Sequence, residues 1–448
     1  MHLGRLFAYR ERWKAAHRIT TGLIAVAMFL FVAKAIAAGK EAVVAQVFGT
    51  SAALEGYLFV FTLYLVISST GYSVMYALIV PLLAAKGVSW QSNRQFCSET
   101  LGVVLALGLG LGFVSALGIN AWLIHGRTGL SPECATAALG AVWPLSVTVL
   151  LGLLAGLMST FIMSAGGHAN TLFEAGPAIG IAVAVIVWPE ASVGPLVFGT
   201  IAGYCLQLSC LAWLLRNSNS LSTPVLRFNS PLWRDLQLTL ALVILTYLLT
   251  GLGGGLDLYF ASGLEQGSIA SMGYANRIMA LFLGLLATAV GRAALPSLSS
   301  TYANEPVDTT RVAIRYAWIL GLVGTATFVL VAFGAHRIVS LMFQRGAFSD
   351  TDTDRVSDAL VASGLQLPFY AAGLVILSLL TGARRYFAIL VITALALATK
   401  VGSASLLVPL FGLQGLMVSN AIMHAITLVG SLVAVIATHR TQPIVTRS

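Results

Sequence analysis

Three cations stand where water is scarce. Lys34, Lys40 and Arg277 lie in or beside long apolar stretches of a 448-residue chain in which only 9% of residues are charged. A charged side chain at the centre of a bilayer costs about 2.5–3.5 kcal/mol, so it normally faces a watery cavity, a partner, or an interface reached by snorkelling. Arg277 sits about one and a half turns into its stretch, after G-Y-A-N, where a lipid-facing orientation would be costly. Lys34 falls about fifteen residues into the first stretch, and Lys40 follows six residues later. Six helical residues turn about 600°, leaving the two lysines about 120° apart and about 9 Å along the axis. One wide cavity could take both, and snorkelling would satisfy either. Cations at depth suit an anionic group such as a phosphate or carboxylate.

The other polar residues give a sparser picture. Glu55 stands at the mouth of the second stretch, and Asp257 follows the helix-loosening run G-L-G-G-G-L at the end of the seventh. With Asn276 they are candidates for a gate or a coupling-ion site, and either carboxylate pairs with a cation or is a solvated helix end. Glu174 and Glu265 are further acidic candidates. The first half offers no carboxylate well inside a stretch, as a cation or drug exporter would want. Arg292 and Lys400 read as snorkelling side chains, and His424 as a packing histidine in preference to a proton relay. Cys97, Cys134, Cys205 and Cys210 show no paired spacing, which predicts no disulfide framework and no metal site, and Cys205 and Cys210, inside one apolar stretch, read as small core residues. Asp350, Asp352 and Asp354 alternate but lack the rest of a cation-loop pattern. They read as a solvated helix start, with Ser349 and Asp352 as caps.

The elements that must hold these residues are membrane helices. The chain is 58% hydrophobic, its mean hydropathy is +0.90, and a spanning helix needs about 20 apolar residues. Twelve stretches qualify: 19–38, 57–85, 99–124, 136–164, 171–188, 194–215, 236–256, 271–298, 313–333, 358–381, 386–409 and 412–438. Pro144, Pro177 and Pro368 fall within them, as membrane helices tolerate. The outer connection 334–357 reads as a short amphipathic helix, R-I-V-S-L-M-F, a turn and a capped acidic segment. Of the 25 Lys and Arg, sixteen fall in the two tails and the even-numbered connections, five in the odd ones, and four at membrane depth. This bias predicts that both termini are cytoplasmic. It also accounts for the net charge of +9 by topology and removes nucleic acid as a partner. The basic start, Arg5 to Arg18, leads into a full-length stretch, against a cleavable signal peptide.

The polar connection 216–235 divides the chain into lobes at 1–215 and 236–448. Pro81 and Pro296, and Gly167 and Gly382, are each 215 residues apart, and Pro189 and Pro409 are 220 apart. Six helices per lobe make such repeats parallel, related by a pseudo-two-fold axis along the membrane normal. There is no phosphate-binding glycine loop, no zinc motif and no grouped Ser, His and Asp. The residues thus predict an all-α, polytopic, two-lobed transporter with a cationic interior, and not an enzyme.

The sequence 261–300, A-S-G-L-E-Q-G-S-I-A-S-M-G-Y-A-N-R-I-M-A-L-F-L-G-L-L-A-T-A-V-G-R-A-A-L-P-S-L-S-S, resembles the signature region of the MurJ/MviN family of lipid II flippases. So does R-I-V-S-L-M-F-Q-R-G-A-F-S-D-T-D-T-D at 337–354, and, more weakly, 33–49. The resemblance implies a bacterial inner-membrane flippase with two six-helix lobes and alternating access. Arg277 matches the arginine of the family's Y-A-[DN]-R motif, which is thought to hold the lipid-linked diphosphate. Lys34 and Lys40 fall where the family has two arginines, and Glu55 where it has an aspartate. A further family arginine is replaced near Ser68, lysine lacks arginine's bidentate fork, and the chain stops after twelve spans where these flippases carry two more. The implied cargo is a polyprenyl-diphosphate-linked saccharide, either lipid II or an exopolysaccharide repeat unit. No cofactor is expected beyond Na+, H+ or membrane potential as the drive, and the partners are membrane lipids and glycan-assembly enzymes. The competing readings are a drug or small-molecule antiporter of the same superfamily, a membrane-embedded glycan transferase, and a non-transporting scaffold in a glycan-assembly complex.

Overall fold

The computed structural model describes residue 28 and residues 31–85, 93–126, 128–164, 170–217, 223–293, 306–383 and 385–441. The first helix, α1, covers 31–48. It is followed by α2 (Ala52–Ala85), α3 (Arg94–Ile124), α4 (Pro132–Ser164), α5 (Asn170–Phe173), α6 (Gly176–Val187) and α7 (Val193–Asn217). The second half holds α8 (Leu232–Ser262), α9 (Ser268–Ala293), α10 (Pro306–Phe343), α11 (Asp350–Gly364), α12 (Leu367–Gly382) and α13 (Tyr386–Thr441). Ten segments are long and apolar enough to cross a membrane among the described residues. The last of these bends at Gly412, whose φ of 56° and ψ of −132° break the helix. There the chain doubles back, placing Gly415 against the Leu407 carbonyl. Counting that bend as two passes, and α1 as the end of the first, gives the expected twelve.

α2 packs along α4, which also meets α3 and α7, while α6 lies on α7. In the second half α10 packs on α12 and α11, α12 on α13, and α13 on α8. The halves touch chiefly through α2 against α8 and α9. Lipid tails give apolar helices no hydrophobic reason to associate, so close backbone approach must hold them. Small residues four apart supply it: Gly176 and Gly180 of α6 meet Gly199 and Gly203 of α7. The outward surface carries large apolar side chains such as Phe113, Trp318, Leu330 and Phe333.

Several expectations are corrected here. The first helix does not end near residue 38 but runs on through Phe48, so Lys40 is helical and partly buried. The amphipathic segment 337–343 is no separate helix; it completes α10, which is unbroken from Pro306 to Phe343. Gly251, Gly253, Gly254 and Gly255 do not loosen α8, so Asp257 sits inside the helix with five further residues beyond it. Cys205 is exposed on α7 and not a core residue, and Cys210 is only partly buried. Arg292 lies in α9, but its side chain is outside the described residues, as are Gly167 and Pro296.

The connection between the halves lies against the start of α3. Glu99, 2% exposed, accepts hydrogen bonds from Asn229 N at 3.1 Å, Ser230 N at 3.1 Å, Trp233 Nε1 at 2.7 Å and Gln95 Nε2 at 3.0 Å. Val225 N donates to the Ser98 carbonyl at 3.1 Å. Four donors repay the burial of one carboxylate. Removing it orphans three groups on the connection, so Glu99→Ala is expected to speed tryptic cleavage after the exposed Arg227. An unchanged cleavage rate would show that the clasp does not hold the connection down.

Candidate functional site

The site begins with a residue that stretch-by-stretch reading passed over. Glu41 is 5% exposed, because α1 carries it past the predicted helix end into the bundle. Its Oε1 forms an ion pair with Arg277 Nε at 2.6 Å and another with the adjacent Lys40 Nζ. The first half therefore does hold a buried carboxylate, against expectation. The available signal was Lys40-Glu41 at the end of an apolar helix, hidden by placing the pair in a loop.

α9 positions Arg277 from the other half. The guanidinium lies over the Tyr274 ring at 5.7 Å, and the Tyr274 hydroxyl donates to the Gly49 carbonyl at 3.0 Å. Stacking and the ion pair fix the arginine's plane. Its side chain stays 28% exposed. Arg277 Nη1 and Glu41 Oε2 are buried and have no hydrogen-bond partner among the described residues. The cluster thus holds two cations to one anion, with a guanidinium donor to spare.

Lys34 is not part of it. Its side chain is exposed, and its ammonium acts electrostatically on Glu174 at the break between α5 and α6. Ser68, where the family arginine is replaced, is 5% exposed and donates to the Tyr64 carbonyl at 3.1 Å. A Cβ on Gly152 of α4 would come within 2.8 Å of it, so helix packing leaves no room for a long cation there.

Glu55 has neither of its expected placements. It is 2% exposed, and its Oε1 accepts from Ile269 N at 2.8 Å and Ala270 N at 3.2 Å. Cys134 Sγ donates to Oε2 at 3.4 Å. A first-half carboxylate thus caps the second-half helix that carries Arg277, where the helix dipole favours it.

Around Glu55 the two halves close one end of the molecule. Thr50 Oγ1 donates to Asp352 Oδ1 at 2.6 Å, and Ser262 Oγ to the Thr128 carbonyl at 2.6 Å. Ala347 N donates to the Gln46 carbonyl at 2.8 Å. Asp352 is therefore buried at 8% exposure and not a solvated helix start, although its capping box with Ser349 is as expected. Gly346 has φ of +60°, and a Cβ there would stand 2.2 Å from the Gln46 carbonyl oxygen. Gly346→Val is accordingly expected to hold this end open. Faster labelling of a cysteine placed at Thr50 would report it, and an unchanged rate would show that the turn yields instead.

The second half has its own polar interior. α8, α9, α12 and α13 line an open cavity of about 470 Å³ whose walls include Asp257, Asn276, Lys400, Asn420 and His424. Lys400 does not snorkel: it is 2% exposed and lies 2.9 Å from Asp257 Oδ1. His424 packs edge-on to Tyr370, ring centroids 5.3 Å apart. Asn276 is exposed towards the cavity. Glu265 pairs at 3.4 Å with the exposed Arg355. Among the described residues no three His, Cys, Asp or Glu side chains group as metal ligands.

The profile of the lipid II flippase MurJ family matches residues 44–443, nearly the whole chain. The chain belongs to the MurJ family. A probable lipid II flippase MurJ of Bdellovibrio bacteriovorus is 28% identical over 257 residues, covering 53% of this chain and 46% of that protein. One from Helicobacter pylori is 33% identical over 173 residues, 37% of this chain and 36% of the relative. The chain therefore matches about half or less of the length of these curated relatives. A solved structure of lipid II flippase MurJ in an inward closed conformation superposes with a TM-score of 0.77, over 94% of this chain and 88% of that one, at 18% identity. An inward-facing multidrug transporter of the MATE family gives 0.72 over 93% and 96%, at 16% identity. At such identities the superpositions establish the two-lobed fold. MurJ membership and the many apolar helices make this a multi-pass bacterial inner-membrane protein.

Proposed function

We propose that the protein is a flippase moving a polyprenyl-diphosphate-linked saccharide from the inner to the outer leaflet by alternating access. The observation that carries this reading is Arg277: a partly exposed guanidinium with an unpartnered buried Nη1, beside Lys40 and Glu41 at the contact between the halves. Diphosphate oxygens suit an arginine fork, and desolvation strengthens the contact. Lys40 adds charge to the same pole, and Lys34 provides a cation along the route. Glu41 acts as a resident counter-ion that gives way when the diphosphate arrives.

A drug exporter would want a buried carboxylate free to hold a cation or proton. Glu41 is instead flanked by two cations, so the cluster favours anions. The named relatives are lipid II flippases, and lipid II is one cargo of the proposed class; an exopolysaccharide repeat unit is another.

In this reading the end closed by Glu55 faces outward, both termini are cytoplasmic, and the lobes divide at 216–235. Glu55 gates the outer end, and membrane potential or an ion gradient drives the cycle. Glycan-assembly enzymes on the inner side would deliver the cargo.

The test uses purified protein in vesicles with a fluorescent lipid-linked saccharide and an impermeant quencher. Transfer between leaflets that requires the protein supports the reading. No transfer of any diphosphate-linked cargo by wild type, under an imposed potential or ion gradient, rejects it.

A further inference from the structure

The second-half cavity already contains a cation. Lys400 is one of the largest fully buried side chains of the molecule, on the limb of α13 that precedes the Gly412 bend. Its Nζ lies 2.9 Å from Asp257 Oδ1 and 2.8 Å from the Gly253 carbonyl oxygen, both on α8. Asn420, beyond the bend, donates its amide to the same carboxylate at 3.3 and 3.4 Å. A carboxylate and a helix carbonyl facing one position, with a side-chain amide beside them, offer the hard oxygens that bind monovalent cations in transporter interiors. Here the ammonium stands between two of those oxygens.

A free ion would have to displace a group tethered by its own side chain. The tether holds the ammonium at high effective concentration whatever the ionic composition outside. Burial of the ammonium, 2% exposed, keeps that pairing strong.

We infer that Lys400 is a built-in cation that fills the alkali-ion position formed by Asp257, the Gly253 carbonyl and Asn420, so that sodium has no place to bind at Asp257. Taken with the proposed flippase cycle, on which this extension rests, transport does not draw on sodium at Asp257. Removing the ammonium exposes the oxygen set, and Asn420 can then turn its amide oxygen inward.

Thermal unfolding of the full chain in sodium chloride against equal choline chloride tests this without any transport assay. Wild type is expected to melt at the same temperature in both. Lys400→Ala is expected to melt lower in choline and to gain stability saturably with sodium, and the added change Asp257→Asn is expected to remove that gain. Lys400→Gln gives a bulkier second version where the alanine form does not fold. Saturable sodium stabilisation of wild type that Asp257→Asn abolishes overturns the inference. So does a folded Lys400 variant indifferent to sodium. In vesicles at clamped potential, wild-type transfer should be equal in sodium and choline, and a strict need for sodium counts against the assignment. Absence of transfer in both media tells against the flippase reading alone, and the melting comparison still decides the cation site.

Discussion

Arg277→Ala is expected to abolish transfer of a lipid-linked diphosphate in reconstituted vesicles while leaving the protein folded. The guanidinium is the group from the second half that meets Lys40 and Glu41 of the first, at 2.6 Å from the carboxylate. Truncating one partner of a buried, hydrogen-bonded charge pair costs about 2–5 kcal/mol, equivalent to at least a roughly thirtyfold loss. Two losses combine, because the substitution removes the diphosphate's fork and leaves Glu41 with one cation. Arg277→Lys keeps the charge but not the planar fork, so it should recover only part of the activity. Full transfer by the alanine variant would remove this residue from the mechanism. The double change Arg277→Ala with Glu41→Gln should restore folding stability without restoring transfer, which separates the structural pair from the binding role.

The second large effect belongs to Glu55. Glu55→Ala should shift the molecule towards a state open at the end where Thr50 meets Asp352. In the closed arrangement the carboxylate satisfies two backbone donors of α9. A buried donor left unpaired costs about 1–3 kcal/mol, and more where the acceptor is charged. That penalty falls only on the closed state, since water can satisfy the helix end once the halves part. A loss of about 2 kcal/mol changes the ratio of states roughly thirtyfold. Distances between spin labels on the first- and second-half loops at this end would record the shift, and Glu55→Gln, which keeps an acceptor, should fall between. A lower melting temperature with unchanged distances would mean that Glu55 is a static cap and not a gate residue.

Much of the fold was legible because membrane constraints are severe. Backbone groups in lipid must be satisfied within the helix, so apolar runs of sufficient length leave few choices. The broken helix around Gly412 and the capped helix start at Ser349–Asp352 both follow from local residue types. Helix ends were less legible. Lys40-Glu41 looks like the start of a loop because two charges interrupt apolar residues, yet α1 continues through them. Charges end an apolar run in a sequence, but they do not end a helix when partners await them.

The sequence by itself determined that the chain lives in a bilayer and passes through it about twelve times, and it singled out the arginine at 277 as a candidate for the interior. Those are properties of single helices and of the cost of charge in lipid. Only the tertiary structure decided the partners: Glu41 for Arg277, Asp257 for Lys400, and the start of α9 for Glu55. Each pairing joins residues more than a hundred positions apart, or different helices, through side-chain reach and helix rotation. Neither is encoded in local hydropathy, and both are settled when small residues let particular helix faces approach.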